Sequence, residues 1–129
     1  MQTFETLIEV TSDDLDDLNH VNNVRYVQWV NDIAKMHWEG TAPTTIKNEY
    51  FWVLISHSID YKYPAFLNDS ILIKTYVTKT EGVTSTRIVE IYNQATDKLL
   101  AKSETNWCLI GVETKKPARV TPEIINLFI

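Results

Sequence analysis

Apolar and polar residues recur with two different periods along this chain. Between Asn22 and Glu39, polar side chains return at steps of three and four, and apolar side chains fill most of the remaining circumference. This period predicts one helix, about 25 Å long at 1.5 Å per residue, with an Asn N-cap and a stop at Gly40. Because the apolar arc is wider than a surface helix needs, we expect other elements to wrap around this helix.

Strand-like patterns fill most of the remaining sequence. Five β-rich runs predict strands at residues 3–10, 52–63, 70–79, 83–92 and 98–110. In the second run, strict alternation assigns Val53, His57 and Tyr61 to the same face. Residues 122–128 predict a short terminal helix that starts at Pro122. The order of strand, long helix and four strands predicts an α+β fold, with the helix on one face of an antiparallel sheet.

Length and composition exclude several classes of protein. The 129 residues predict one domain, residues 1–129. The three glycines are too far apart for a glycine-rich phosphate loop, and a net charge of −5 argues against nucleic acid as a partner. The single cysteine excludes an internal disulfide, and the three histidines lack metal-ligand spacing, so we expect no metal and no cofactor. We find no signal sequence and no apolar run of about 18 residues, which predicts a cytoplasmic protein without a membrane span.

The densest polar cluster, residues 16–23, ends where the predicted helix begins. A helix start presents unpaired N–H groups and the positive end of the helix dipole, which can polarise a carbonyl group. Asp16 lies six residues before Asn22 and can turn back toward this site as a general base or a nucleophile. Asp and Asn at a helix start are more often caps. Spacing alone therefore leaves both interpretations open.

Residues 16–34, DDLNHVNNVRYVQWVNDIA, resemble the signature of the 4-hydroxybenzoyl-CoA thioesterase family, a hotdog-fold group of acyl-CoA thioesterases. The resemblance continues through residues 57–69 and 107–110, and plant acyl-carrier-protein thioesterases carry a similar HVNN run. It implies a hotdog fold, with one long helix wrapped by a five-stranded antiparallel sheet. It also implies a homodimer or homotetramer with active sites at the subunit interface. The open edges of a single sheet favour the same self-association.

The resemblance implies hydrolysis of an acyl-CoA or acyl-carrier thioester and assigns roles to individual residues. Asp16 matches the family's catalytic carboxylate, which either activates water or attacks the carbonyl group directly. The backbone N–H groups of Asn22, Asn23 and Val24 would polarise that carbonyl group. His20 is the second catalytic candidate, because it can orient the substrate or Asp16.

Other residues complete the predicted site or depart from the family. His57 and Tyr61 are candidates for substrate binding, because their strand can line the pocket. Asn19 stands where the family often has Gly, and Leu18 stands where the plant enzymes have a catalytic Asn. Coenzyme A is polyanionic and requires local cations. The candidates are Lys62, Lys74, Arg87 and the turn at residues 115–119.

Two further functions are compatible with the same fold. One is a non-catalytic module that binds acyl-CoA or an acyl chain; Leu18 and Asn19 leave it open, whereas Asp16 argues against it. The other is a hotdog-fold enoyl-CoA hydratase, which lacks support because no Gly-Asp-x-Asn-Pro-x-His string occurs. Substitution of Asp16 separates the enzyme from the binding module.

Overall fold

The computed structural model describes residues 2–129. This part of the chain forms five strands and three α-helices, which are β1 (Phe4–Glu9), α1 (Asn23–Thr41), α2 (Thr44–Glu49), β2 (Tyr50–Tyr61), β3 (Ser70–Glu81), β4 (Thr84–Asn93), β5 (Lys98–Gly111) and α3 (Pro122–Leu127). The strands form one sheet in the order β1-β3-β4-β5-β2, and every neighbouring pair is antiparallel. The predicted α+β architecture, a five-stranded antiparallel sheet with one long helix, is confirmed.

Helix α1 packs its apolar side on the inner face of the sheet. Its buried side chains are Tyr26, Trp29, Val30, Ile33, Ala34 and His37. Of these, Tyr26, Trp29, Val30 and Ile33 share a core with side chains of β3 and β4, namely Ile71, Ile73, Val89 and Ile91. Burial of a Val or Ile side chain in this core contributes roughly 1.5–3 kcal/mol. This layer therefore holds α1, and the loop that precedes it, against the sheet.

A second apolar cluster surrounds the C-terminal part of α1. Phe128, which follows α3, belongs to this cluster together with Ile46 of α2 and Leu109 of β5, and Trp38 of α1 packs against it. Helix α3 begins at Pro122, as predicted. Helix α2 was not predicted, because its six residues are too few to display a helical period.

The predicted helix stop at Gly40 is wrong. Helix α1 continues through Gly40 to Thr41, and the N–H of Ala42 still donates to the carbonyl oxygen of Trp38. Because Pro43 disfavours helical geometry in the residue before it, Ala42 is extended, with φ of −76° and ψ of 134°. The proline rather than the glycine therefore ends the helix.

Strand β2 does not keep one alternation throughout, which corrects the predicted face. Ile55 has no partner on β5, whereas Leu54 before it and Ser56 after it pair with consecutive residues. Ile55 is therefore a β-bulge, and the inward-facing residues change from even to odd numbers across it. Val53 lies on the outer face of the sheet, and His57 lies on the inner face.

Candidate active site

Residues 15–21 form a tight loop that leads into α1. The N–H of Asp16 donates to the carbonyl oxygen of His20 at 2.9 Å, and the N–H of Asn19 donates to that of Asp16 at 3.0 Å. Asn19 has a φ of 62°, in the left-handed region that Asn tolerates better than most residues. Asn19 therefore supplies a turn for which the family named above often uses Gly.

The carboxylate of Asp16 has one engaged oxygen and one open oxygen. Its Oδ1 accepts a hydrogen bond from the N–H of Leu18 at 2.9 Å, which forms an Asx turn. Within residues 2–129, its Oδ2 has no hydrogen-bond partner, and the residue is only half-buried. One oxygen thus holds the loop, while the other remains able to take a proton or to attack.

Arg25, in the first turn of α1, fastens the acidic loop to the helix. Its Nη2 donates to the carbonyl oxygen of Asp13 at 3.0 Å, and its Nε lies 3.4 Å from Oδ1 of Asp14. The N–H of Asn22 donates to the carbonyl oxygen of Asp14 at 2.8 Å. These contacts keep the loop that carries Asp16 at the start of the helix.

The three N–H groups expected to polarise a carbonyl group are not equivalent. That of Asn22 is engaged by Asp14, and that of Val24 donates to Oδ1 of Asn22 at 3.0 Å, which is the N-cap bond. Within the described residues 2–129, the N–H of Asn23 has no hydrogen-bond partner. Of the three, it is the group left to meet a ligand.

A cavity of about 180 Å³ lies beside the helix start. Its lining residues are His20, Val21, Asn23, Tyr26, Tyr61, Lys62, Tyr63 and Pro64. The hydroxyl of Tyr61 donates to the carbonyl oxygen of Asn23 at 3.5 Å, and burial raises the pKa of Tyr61. This small cavity brings together three of the predicted site residues: His20, Asn23 and Tyr61.

The other predicted site residues lie outside the small cavity; they are Asp16, Asn22, Val24 and His57. Asp16 is connected to it through the backbone bond to His20. The Nε2 of His57 hydrogen-bonds with Oγ of Ser103 at 2.9 Å, and burial lowers the pKa of His57. His57 is thus held by the sheet rather than by the helix start.

Tyr26 and Tyr63 line the small cavity but were not predicted. Tyr26 lies about one turn after Asn23 on α1, and its hydroxyl accepts a hydrogen bond from the N–H of Ala65 at 3.2 Å. The three-residue spacing was a usable signal, because residues so spaced share a helix face. Tyr63 had a comparable signal, because the predicted strand 52–63 places it on the same face as Tyr61, although β2 ends at Tyr61 in the structure.

Of the cations considered for coenzyme A, Lys62 lies at the small cavity. Lys74 pairs instead with Glu5 at 3.8 Å, and residues 115–119 do not line the cavity. Arg87 is only 6% exposed, so it cannot meet a phosphate on the surface. Lys62 is therefore the cation best placed for an anionic group at this cavity.

A larger cavity of about 390 Å³ lies further along α1. Aromatic residues line much of it, namely Trp38, Phe51, Trp52, Trp107 and Phe128. Arg87 of β4 also lines it. The alternation of Arg87 with Val89 and Ile91 along β4 was a usable signal for this inward position, since residues two apart share a face of a strand.

The described residues 2–129 contain no group of three or more His, Cys, Asp or Glu side chains arranged to hold a metal ion. In the same part of the chain, no helix is long and apolar enough to cross a membrane.

A long helix on a five-stranded antiparallel sheet, with a carboxylate loop at the helix start, is the arrangement of a hotdog-fold thioesterase. The chain belongs to the family described as acyl-ACP thioesterase N-terminal domain, whose family model matches residues 1–128. It is therefore an enzyme that acts on thioesters. No curated protein matches the sequence.

Several solved structures are similar to this chain. One is the 1,4-dihydroxy-2-naphthoyl-CoA thioesterase Slr0204 from Synechocystis, with a TM-score of 0.83 and 20% identity over 98% of this chain and 95% of that one. YbaW, a probable thioesterase from Escherichia coli, has a TM-score of 0.82 and 22% identity over 95% and 94% of the two chains. SAV2348 from Staphylococcus aureus, solved in complex with CoA, has a TM-score of 0.86 and 16% identity over 98% and 81%. The similarity confirms the predicted hotdog fold.

Proposed function

We propose that this enzyme hydrolyses acyl-CoA thioesters with Asp16 as its catalytic carboxylate. The observation that carries the proposal is the loop before α1, which holds Asp16 with one oxygen open, next to a helix start with an unpaired Asn23 N–H within residues 2–129. A carboxylate can activate water or attack a carbonyl group, and a helix start stabilises developing negative charge. Thioester hydrolysis requires both functions.

The reaction has two routes that use the same groups. In one, Asp16 takes a proton from water as the water oxygen bonds to the thioester carbon. In the other, Asp16 itself bonds to that carbon, the thiolate leaves, and water then cleaves the anhydride. In both routes the C–S bond breaks, the thiolate gains a proton, and a free acid is formed. The Asn23 N–H donates to the carbonyl oxygen while it carries negative charge.

The remaining site residues are proposed to position the substrate. His20 and Tyr61 contact the substrate near its carbonyl group, because both line the small cavity with Asn23. Asn22 and Val24 act indirectly, since their cap bond fixes the start of α1. His57 lies outside this cavity, so its contact with substrate requires a second copy of the chain.

Coenzyme A is the proposed leaving group, although the family is described by acyl-carrier-protein thioesterases. Two observations support this choice: Lys62 lies at the small cavity, and the structurally similar SAV2348 was solved with CoA. We expect purified enzyme to release free thiol from acyl-CoA substrates faster than from the same acyl groups on an acyl carrier protein. A thiol-reactive dye measures both rates. Turnover confined to the carrier-protein substrates would contradict the choice of coenzyme A.

Two copies of the chain are proposed to pair through β2, which is an edge strand of 12 residues. Its exposed large apolar side chains are Phe51, Val53, Leu54, Ile55 and Tyr61. Proteins seldom leave a long apolar edge uncovered. In a two-fold antiparallel pairing along the whole strand, the Phe51 end of one copy lies opposite the Tyr61 end of the other. The small cavity of one copy then lies beside the large cavity of the other.

The proposed pairing predicts the mass in solution. At micromolar concentration, light scattering coupled to gel filtration should give at least twice the chain mass of 14.9 kDa. Ile55→Lys should shift the enzyme toward monomer, because like charges would face each other near the two-fold axis. Leu7→Lys is the matched control, since Leu7 is similarly exposed on β1, the opposite edge. A monomeric wild type, or equal dissociation of both variants, would refute pairing through β2.

The cytoplasmic location and the single domain spanning residues 1–129 remain predictions from the sequence. The single sheet shared by all five strands supports the domain prediction.

A further inference from the structure

Arg87 is a buried cation without an acidic partner. It is 6% exposed, and its Nη1 lies 2.9 Å from Nδ1 of His37 and 3.0 Å from Oγ1 of Thr75. The guanidinium carbon lies 5.7 Å from the ring centre of Phe128. Within residues 2–129, no carboxylate forms a salt bridge with it. Burial lowers the pKa of Arg87 to about 10, so it is charged at neutral pH.

The unused donors of Arg87 open into the large cavity. Within residues 2–129, its Nε and Nη2 make no hydrogen bond. No fully buried side-chain nitrogen or oxygen lacks a partner in this part of the chain. These two nitrogen atoms therefore reach open space, and the space that Arg87 lines is the cavity of about 390 Å³.

The charges around this cavity favour an anion. Arg87 and Lys35 both line it, and Glu39 is the one carboxylate among its lining residues in the described chain. Glu39 is engaged by Lys47, with 3.5 Å between Oε2 and Nζ. The remaining wall is largely aromatic and aliphatic. An anion inside would meet an unpaired guanidinium and little competing negative charge.

We propose that the large cavity takes an acyl group whose far end carries a carboxylate, and that Arg87 binds this carboxylate. A guanidinium pairs with a carboxylate through two parallel hydrogen bonds, and Nε and Nη2 are the pair of donors this geometry uses. An acyl chain that ends in a methyl group would leave the buried cation unpaired, which is unfavourable. This inference rests on the proposed function, because it names the substrate class of the same reaction.

The substrate must then span two copies of the chain. Asn23 and His37, which contacts Arg87, lie 14 residues apart, or about 21 Å along α1. This distance exceeds the length of an eight-carbon acyl group. Pairing through β2 instead brings the helix start of one copy next to Phe51 and Trp52 of the other, and both residues line the large cavity.

The kinetic test compares suberoyl-CoA with octanoyl-CoA, which differ only in the terminal carboxylate. We expect the kcat/KM of the wild type to be about 10- to 100-fold higher for suberoyl-CoA than for octanoyl-CoA. This ratio corresponds to the free energy that a hydrogen bond to a charged group usually contributes. Arg87→Met should remove this preference, because a methionine side chain cannot form a charged hydrogen bond with the terminal carboxylate. Arg119→Met is the matched control, because Arg119 is exposed. A wild-type preference for octanoyl-CoA would overturn the proposal.

A binding test on the wild type requires neither catalysis nor a correctly folded Arg87→Met variant. Monomethyl suberate and methyl octanoate have the same chain length, and the first carries one carboxylate. Binding in the large cavity should change tryptophan fluorescence, since Trp38, Trp52 and Trp107 line it. We expect wild type to bind monomethyl suberate at least 10-fold more tightly. Equal affinities would overturn the proposal even if thioesters are hydrolysed. Preferential binding without any hydrolysis would support the cavity assignment and refute the proposed function.

Discussion

Asp16→Asn is expected to lower kcat for thioester hydrolysis by about 10³-fold, within the range that a positioned general base contributes. Asn keeps an Oδ1 atom that can accept the hydrogen bond from the Leu18 N–H, which is 2.9 Å long in the wild type. The loop should therefore persist, while the amide can neither take a proton from water nor attack a carbonyl group. Thiol release measured over a range of substrate concentrations gives kcat and KM separately.

Asp17→Asn is the matched control for this substitution. Asp17 is the exposed neighbour of Asp16, and the same change there removes one charge from the same loop. We expect it to retain nearly all activity. If Asp16→Asn kept its kcat within tenfold of the wild type, the catalytic assignment of Asp16 would be wrong, and its carboxylate would serve only the Asx turn with Leu18.

Acidification should destabilise the fold through His37. In the native state the pKa of His37 is lowered to about 4, first by burial and then by Arg87, whereas the unfolded chain has the ordinary value of 6.5. Between these two values the unfolded chain binds a proton that the native state does not. The contribution of neutral His37 to the free energy of unfolding is therefore fully present above pH 6.5 and decreases as the pH falls toward 4. The difference between the two pKa values corresponds to a loss of about 3 kcal/mol from the free energy of unfolding.

The contacts of His37 explain why the native state does not accept a second proton on its imidazole ring. Arg87 can only donate, so Nδ1 of His37 must accept from its Nη1 at 2.9 Å. Nε2 then carries the hydrogen and donates to Oε1 of Gln2 at 2.7 Å. The rings of Phe4 and Phe128 cover the imidazole, with centres 5.0 and 4.9 Å away. A second proton on Nδ1 would point at a cation.

Urea unfolding between pH 4 and pH 7 measures this effect against a His37→Asn variant. Asn offers an oxygen acceptor to Arg87 and does not titrate, so its stability should change less across this range. The lowered pKa of His57 acts in the same direction, but it is common to both proteins and cancels in the comparison. Parallel stability curves for the two proteins would show that His37 is not the group responsible.

The sequence predicts this fold well where the pattern is local and poorly where it depends on pairing. The long helix and five strands follow from periods of apolar residues that are visible in the chain itself. The bulge at Ile55 is invisible, because the alternation in residues 52–63 continues through it and only β5 reveals the extra residue. The glycine at position 40 looked like a stop, yet Pro43 ends the helix.

The candidate site also has features that the local sequence predicts and features that depend on tertiary contacts. The motif around Asp16 and His20 indicates the loop and the helix start from sequence alone. It does not reveal that Asn23 has the open N–H, because that depends on where the Asn22 side chain and the Asp14 carbonyl group lie. The cavity at Arg87 depends on four strands and two helices meeting, which no local pattern contains.

The bulge in β2 also limits how this protein can change during evolution. Since side-chain direction reverses across Ile55, both halves of the strand present their proper faces only while that extra residue is there. Loss of one residue would turn Trp52 or His57 away from the helix, according to which half shifts. Homologues should therefore vary freely in the type of residue at the bulge, while insertions and deletions within this strand are selected against.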